Sequence, residues 1–553
     1  MVKTNENIAN QRFDFWSKNV SDKNLKNELE QLKNDSQKRE NAFYRELEFG
    51  TAGLRGILGV GTNMMNIHTV TKATYGIVLY MKENAMKSIA ISYDSRINSE
   101  LFAKCVASVC ASFGIKVYLS PLLMPTPFLS YMVRDLKCDM GIMITASHNP
   151  ANYNGYKVYG ADGCQITDSV ANNLISIINK IDPFSVKTDE FEKMVKNGLI
   201  QFTDDEIVNR YIADVKKQSI HLIKNTKILF TPLNGTGFEL VPRILKECGL
   251  KKLEIVAEQS KPDGNFPTCP YPNPENAEAL SLGIKKAKEI HADIVIATDP
   301  DADRMGLVAK NKEGDYKILS GNEIGVLLTD FIFSKRKESN TLPKDPVYVK
   351  TIVSTPLAAI IAEKYGAEVF NVLTGFKYIG EVIGRLEAKG EENRFVFGFE
   401  ESLGFLAGTH VRDKDAVVAS MLTAEMTEYY LEKGKTLVCR LKEIHDEYGE
   451  MFLVTKSYKF PGAEGATKMQ KLLDNFRKKP FEKLAGDKVI SKIDYLAQTE
   501  FELPKSNVLF YATANGSLII RPSGTEPLIK AYMSAKSMKI LQQMVDETEK
   551  AMN

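Results

Sequence analysis

Met140-Gly-Ile-Met-Ile-Thr145-Ala-Ser147-His148-Asn149-Pro150 is the stretch from which the rest of the chain can be read. An apolar run of strand length passes directly into a small polar cluster. The same grammar recurs at Ser88–Tyr93, Lys116–Leu119, Lys227–Thr231, Glu254–Ala257, Ile294–Thr298, Val347–Lys350 and Phe395–Phe399. Amphipathic helical patterns such as Ser281–Glu289 and Leu357–Tyr365 lie between several of these runs. Short apolar strands alternating with helices predict an α/β fold, its strands buried between helices. Ligands of such folds sit at the carboxyl ends of strands, so the polar clusters become candidate sites.

The chain has 553 residues, enough for about three to four domains. It is 44% hydrophobic and 26% charged, which is ordinary for a globular protein. Lys and Arg total 72 against 70 for Asp and Glu, a balance that argues against a general nucleic-acid or membrane-surface binder. Seven scattered cysteines without a CxxC pair suit reduced thiols and a cytoplasmic location. The start, Met1-Val-Lys-Thr-Asn, leads into a polar helical segment running to about residue 47, so no signal peptide is expected. The charged stretch Lys187–Glu206 suits a linker, and Asn311–Asp315 a turn. After about Met451 the texture changes: Phe452–Phe460, a helix, then Val508–Thr513, Ser517–Arg521 and Ile529–Ser534 predict a small α+β unit.

Four loops carry chemistry. Ser147, at a strand end, is placed to be a nucleophile, with His148, Asn149, Asn152, Asn154 and Lys157 close behind. A polar turn is the alternative, and a G-x-S-x-G elbow is excluded because Thr145 and Asn149 occupy the glycine places. Asp299, Asp301 and Asp303 alternate after Ile294–Ala297, with Arg304 next. Carboxylates at i, i+2 and i+4 of an extended segment share a side and repel unless a cation joins them. Oxygen-only ligands suit Mg²⁺ or another hard divalent ion. An EF-hand fails, since its sixth position is Arg304 and its twelfth Lys310. Glu400-Glu401-Ser402 offers a carboxylate and a hydroxyl to vicinal sugar hydroxyls, although a surface turn reads the same way. Arg521-Pro-Ser523-Gly524-Thr525-Glu526 combines a guanidinium, two hydroxyls and exposed backbone N–H groups, as a phosphate cradle does. A Gly-rich loop, Phe49–Gly56, adds the cation Arg55.

The serine loop, the Asp-x-Asp-x-Asp-Arg loop, the Glu-x-Ser loop and the Arg-Pro-Ser-Gly-Thr-Glu loop, in this order from about Phe49 to Ser534, resemble the α-D-phosphohexomutase superfamily. Leu373-Thr374-Gly375-Phe376-Lys377-Tyr378-Ile379-Gly380 and Arg412-Asp-Lys414-Asp415 resemble its phosphoglucomutase and phosphopentomutase branch. The resemblance implies four domains, at 1–205, 206–315, 316–450 and 451–553. Three are related α/β units with mixed, mostly parallel sheets. The fourth is an α+β unit resembling the TATA-binding protein, and one loop from each meets in a central cleft. It implies that Ser147 carries the phosphoryl group, with Lys157, His148 and Arg55 as catalytic partners. It makes Asp299, Asp301, Asp303 and a phosphoserine oxygen the Mg²⁺ ligands. Substrate contacts would come from Arg304, Thr374, Gly375, Glu400, Ser402, Lys414, Arg521, Ser523, Gly524 and Thr525.

The implied reaction interconverts α-D-glucose 1-phosphate and glucose 6-phosphate, with glucose 1,6-bisphosphate as intermediate and activator. Pentose or mannose phosphates are alternatives, followed by a metal-dependent sugar phosphatase and a non-catalytic sugar-phosphate sensor. The implied partners are small sugar phosphates, without nucleic acid or membrane, for a monomer or weak homodimer. One departure bears on the sugar: Leu403-Gly404 stands where the phosphomannomutase/phosphoglucomutase branch has Gly-His, which turns a second proton-transfer or phosphate-clamping role toward Lys414. A nearby Arg55 would lower the pKa of Lys157.

Overall fold

The computed structural model describes residues 5–50, 53–460, 462–497, 503–523 and 528–552. Helices Asn5–Asn19, Lys23–Leu32 and Ser36–Phe43 come first and pack around Trp16 and Phe43. Three mixed sheets follow. The first contains β1 (Leu54–Ile57), β2 (Ser88–Tyr93), β3 (Lys116–Leu119), β4 (Met140–Ile144), β5 (Tyr153–Gly160) and β6 (Ile200–Phe202), in the order β1-β5-β4-β2-β3-β6. The second contains β7 (Lys227–Thr231), β8 (Lys252–Ile255), β9 (Ile294–Thr298), β10 (Met305–Lys310) and β11 (Tyr316–Leu319), in the order β11-β10-β9-β7-β8. The third contains β12 (Val347–Thr351), β13 (Glu368–Val372), β14 (Phe395–Glu400) and β15 (Gly404–Ala407), in the order β13-β12-β14-β15.

These sheets repeat one plan. Three strands run parallel (β4-β2-β3, β9-β7-β8 and β14-β12-β13), and the outermost of the three then turns into an antiparallel neighbour. Those neighbours are β5, β10 and β15. The central strands are buried along almost their whole length, which explains their continuous apolar runs. Each turn into the antiparallel strand holds a non-glycine residue in the left-handed region: Ser147 (φ 52°), Ala302 (φ 46°) and Leu403 (φ 65°). The serine, aspartate and Glu-x-Ser loops are therefore the same connection in three related units.

The last unit is an antiparallel sheet, with β16 (Phe452–Lys459), a two-residue hairpin of β17 (Lys483–Leu484) and β18 (Asp487–Lys488), β19 (Ser491–Asp494), β20 (Leu509–Ala512), β21 (Gly516–Pro522) and β22 (Leu528–Ala535). Its main sheet runs β16-β22-β21-β20-β19, accompanied by helices Gly462–Lys478 and Met538–Met552.

Two expectations need correction. The stretch Lys187–Glu206, expected as a linker, contains helix Phe191–Lys196 and β6, which pairs in parallel with β3. Of the three β6 residues only Ile200 is buried, so this edge strand shows no alternation to read. The boundary expected at 315 falls inside the second sheet, because β11 hydrogen-bonds to β10 across the turn Asn311–Asp315. Among the described residues no helix is long and apolar enough to cross a membrane.

Candidate active site

The serine loop is built by backbone geometry before chemistry. Gly155 on β5 lies so close to Thr145 that a Cβ there would stand 2.4 Å from the Thr145 carbonyl oxygen. The loop is thereby pressed onto its hairpin partner. The Ser147 N–H donates to Thr145 Oγ1 at 2.8 Å, and Thr145 Oγ1 donates to Asp94 Oδ2 at 2.6 Å. Ser147 is buried, and its hydroxyl donates to Asp299 Oδ2 at 2.8 Å, across 152 residues of sequence. His148 Nδ1 is 3.1 Å from the same hydroxyl. Burial, then the guanidinium groups of Arg304 and Arg55, hold the His148 pKa well below its usual value, so the imidazole is neutral. Arg55 Nη1 donates to Asn149 Oδ1 at 3.2 Å.

Asp299, Asp301 and Asp303 are all buried, and each offers one oxygen within 4.8 Å of the others. The loop folds on itself: the N–H groups of Asp303 and Arg304 donate to Asp299 Oδ1 at 3.2 and 3.0 Å. Thr126 Oγ1 donates to Asp301 Oδ2 at 2.7 Å. Among the described residues, Asp301 Oδ1 and Asp303 Oδ1 are buried with no hydrogen-bond partner. Oxygen-only donors with two such orphaned acceptors fit a hard divalent cation. Burial, reinforced by Asp301 and Asp303, pushes the Asp299 carboxyl well above the usual carboxylate range. For Asp301 burial also acts upward, but the Lys157 ammonium outweighs it and holds that carboxyl low.

Lys157 is the main correction to the sequence reading. Its Nζ donates to Asp301 Oδ2 at 2.8 Å and to Asp303 Oδ2 at 3.1 Å. Burial acts to lower its pKa, yet those two carboxylates outweigh it and the net shift is upward. Arg55 does not set the charge of Lys157; the aspartates do, and the side chain is a firm cation. Lys414 joins the same cluster, 3.1 Å from Asp303 Oδ2 and 3.2 Å from Asp413 Oδ1. It too is raised, with Asp303 and Asp413 overcoming burial.

Glu400 ends β14 and is buried, accepting a hydrogen bond from Ser402 Oγ at 3.1 Å. A Cβ on Gly404 would meet Lys414 Cδ at 2.4 Å and Glu400 Cγ at 2.9 Å, so Lys414 packs into the space beside the Glu-x-Ser loop. The Leu403 carbonyl accepts from Met305 N at 3.1 Å, fastening this loop to the strand after the aspartates. Thr374 and Gly375 precede Phe376, whose ring lies 5.8 Å from Lys414 Nζ. Arg304 Nε lies 3.9 Å from Asp303 Oδ1. Arg521 and Ser523 stand at the end of β21, with Arg521 near the Tyr532 hydroxyl. Gly524 and Thr525 lie outside the described residues. A cavity of about 1280 Å³ opens beside the serine loop, lined by Arg55, His148, Asn149 and Lys157 and walled by the N-terminal helices.

Lys350 and Arg96 have no local motif and escaped the sequence reading, and Asp413, inside the Arg412–Asp415 stretch, was given no role there. Lys350, in apolar β12, is buried and donates to the carbonyls of Thr351 and Ser354 at 3.1 and 3.0 Å. Burial, partly offset by Glu401, lowers its pKa to about 8. Asp413 accepts from Tyr159 Oη at 2.7 Å and Gln165 Nε2 at 2.9 Å, and so fixes its neighbour Lys414. Arg96 lies beneath the serine loop. For Lys350 and Arg96 the only signal in sequence is a charge inside or just after an apolar strand.

Family models match along the chain in order. Those described as "Phosphoglucomutase/phosphomannomutase, alpha/beta/alpha domain I", "domain II" and "domain III" match residues 46–184, 209–314 and 320–448. The model described as "Phosphoglucomutase/phosphomannomutase, C-terminal domain" matches residues 466–551. A phosphoglucomutase of Staphylococcus haemolyticus is 36% identical over 514 residues, covering 90% of this chain and 91% of that protein. One of Staphylococcus aureus is 34% identical over 545 residues, covering 96% of both. Among solved structures, the open form of parafusin, a phosphoglucomutase of Paramecium, superposes with a TM-score of 0.69 at 17% identity, covering 92% of this chain and 94% of that one.

Proposed function

The chain belongs to the phosphoglucomutase/phosphomannomutase family, and from that premise we propose that it interconverts α-D-glucose 1-phosphate and glucose 6-phosphate through a phosphoserine at 147. The observation that carries the reading is the Ser147 hydroxyl, hydrogen-bonded to Asp299 within the three-carboxylate cluster. A nucleophile there places the transferred phosphoryl group where its charge can be neutralised, the main task in such transfers. Mg²⁺ held by Asp299, Asp301, Asp303 and a phosphoserine oxygen would supply that neutralisation when bound.

The chain's own residues divide the remaining work. Glu400 and Ser402 hold the sugar hydroxyls, while Arg521, Ser523, Gly524 and Thr525 hold the phosphate that is not reacting. Arg304, Thr374, Gly375 and Lys414 complete the substrate contacts. The C6 hydroxyl of glucose 1-phosphate attacks phosphorus, the bond to Ser147 Oγ breaks, and glucose 1,6-bisphosphate forms. The bisphosphate turns end for end. Ser147 Oγ then attacks the other phosphorus, the bond to the C1 oxygen breaks, and glucose 6-phosphate leaves.

Lys157 and Lys414, both firm cations, stabilise the spread charge in each transfer. In each transfer the attacking hydroxyl, first C6–OH and then Ser147 Oγ–H, gives its proton to the neutral His148 while Lys157 gives one to the leaving oxygen, first Ser147 Oγ and then the C1 oxygen; proton exchange with solvent after each transfer restores neutral His148 and cationic Lys157. Arg55 orients Asn149 and with it the serine loop. The reading includes four units, ending near 205, 319, 450 and the C-terminus, and a cytoplasmic monomer or weak homodimer.

A panel of glucose, ribose, deoxyribose and mannose 1-phosphates, with and without the matching bisphosphate, tests the reading. Intact-mass measurement should accompany it. Isomerised glucose phosphate and a single phosphate on Ser147 are the expected results. Release of inorganic phosphate without an isomer would replace the mutase by a phosphatase.

A further inference from the structure

In each of the three related units, the turn after the central strand holds the functional hairpin beside it. After β7, the Thr236 N–H donates to the Pro300 carbonyl in the aspartate loop at 2.8 Å. At the end of β12, the hydroxyls of Thr351 and Ser354 donate to Glu401 Oε2 at 3.1 and 3.3 Å. After β2, the corresponding job falls to one side chain, Arg96. Its Nη1 donates to the carbonyls of Pro150 and Tyr153 at 2.9 and 3.2 Å. Its Nη2 donates to the carbonyl of Asn149 at 2.5 Å and to that of Ser147 itself. The guanidinium is fully buried, and its Nε lies 3.3 Å from Asp94 Oδ2.

Asp94 closes the circuit. Besides pairing with Arg96, it accepts from Thr145 Oγ1, which in turn accepts from the Ser147 N–H. It also accepts from Ser99 Oγ at 2.7 Å and from the Arg96 N–H at 3.0 Å. Both peptide faces of Ser147 are thus tied to one ion pair, its carbonyl through Arg96 and its N–H through Thr145 and Asp94. That double tie holds a non-glycine residue at φ 52°, a conformation persisting only where surroundings over-determine it. The same guanidinium reaches the second unit. It lies over the Phe266 ring at 5.1 Å, and Arg96 makes a backbone bridge to Gly264. A Cβ on Gly264 would stand 2.5 Å from the Ile97 nitrogen, so the two units meet closely here. The serine loop is clamped by a residue that also contacts the unit carrying Asp299.

We infer that Arg96, aligned by Asp94, is a positioning residue for phosphoryl transfer: it sets the direction of the Ser147 side chain toward the aspartate cluster. Only a planar guanidinium has a fork of donors that can serve four carbonyls at once; an ammonium has three donors around a point. Arg96 reaches Ser147 through its backbone carbonyl and not through Oγ, so its loss should act on the chemical step and spare substrate binding. The inference rests on Ser147 being the phosphoryl carrier, and the wild-type protein tests that part separately through the mass of its phosphoserine.

The experiment compares Arg96→Lys and Asp94→Asn with wild type in the full-length protein. It measures kcat, KM for glucose 1-phosphate, melting temperature, and the rate at which glucose 1,6-bisphosphate phosphorylates Ser147. For Arg96→Lys, kcat and the phosphorylation rate should fall together by about 10²-fold, the effect of a misplacement near 1 Å. KM should stay within about threefold, the pattern of a lost transition-state geometry. Asp94→Asn should show the same split with a smaller loss, about tenfold in kcat. A folded Arg96→Lys enzyme with wild-type kcat, or one losing KM and kcat alike, would overturn the assignment. If Arg96→Lys does not fold, Asp94→Asn decides on the same criteria. A wild-type protein that never takes phosphate on Ser147 would instead sink the mutase reading on which the inference stands.

Discussion

Gly321 offers a way to move the Glu-x-Ser loop, the proposed sugar clamp, without touching it. This residue opens helix Gly321–Glu338, whose Ser320 and Glu323 form a capping box. A Cβ at 321 would lie 1.9 Å from the Glu401 carbonyl oxygen, 2.7 Å from its carbon and 3.0 Å from Leu403 N. All three are backbone atoms, so no rotamer relieves the clash. To restore even a 3.0 Å contact the Glu401 oxygen must retreat by about 1 Å. Glu400 and Ser402 flank that carbonyl and must move with it. If Glu400 and Ser402 position the substrate as proposed, a displacement of this size costs about 10²-fold in rate, or ~2.7 kcal/mol of transition-state stabilisation.

Gly321→Ala should therefore lower kcat/KM for glucose 1-phosphate by about 10²-fold, followed by coupled oxidation of the glucose 6-phosphate formed. The control is Gly384→Ala in helix Lys377–Glu387, where an added Cβ meets nothing within 4 Å. There the substitution should leave the rate unchanged and raise stability by up to ~1 kcal/mol from helix propensity. A Gly321→Ala enzyme within about threefold of wild type would show that the position of Glu400 and Ser402 does not limit the reaction, and the clamp reading would fall.

Ser147→Ala should keep the melting profile, lose turnover entirely and carry no phosphate by intact mass; near-normal turnover would remove the nucleophile. Stripping divalent ions should stop isomerisation until Mg²⁺ is restored, and restoring it should raise the melting temperature, because an ion there neutralises buried carboxylates. Full rates in excess chelator would take the ion out of the mechanism. Glu425 gives a pH prediction away from the site: fully buried, it accepts from Ser219 Oγ and from Ile220 N at 2.9 Å, and burial raises its pKa to about 7. A raised carboxyl contributes stability that is complete below pH 4.5 and is lost as pH rises through about 7. The effect approaches ~3 kcal/mol on full ionisation. Glu425→Gln should flatten the decline in melting temperature between pH 5 and pH 8 expected of the wild type; an unchanged slope would refute it.

Much of the fold was legible because its signals are local. Buried parallel strands such as β4 and β9 are continuous apolar runs, and their polar ends mark the loops. What escaped lacked that contrast. The edge strand β6 buries one residue of three, and β19 is mostly half-exposed, so neither shows a period to read. Lys350 and Arg96 escaped for the opposite reason: each is a charge in or beside an apolar strand, Lys350 turned onto carbonyls of its own following turn and Arg96 onto carbonyls of the distant serine loop.

The sequence by itself determined the parts: an apolar strand delivers Ser147, another delivers three alternating aspartates, and a third delivers Glu400, each by contiguous residues. The tertiary structure decided their relations. Ser147 meets Asp299 across 152 residues, and the three loops prove to be one connection repeated. It also decided charge. Lys157 looked like an amine whose pKa a nearby Arg55 would lower, and became a firm cation because Asp301 and Asp303 lie against it. Periodicity along a chain encodes which face is buried. Proximity between distant segments, and the dielectric and counter-charges that set a side chain's protonation, exist only once the chain has closed around them.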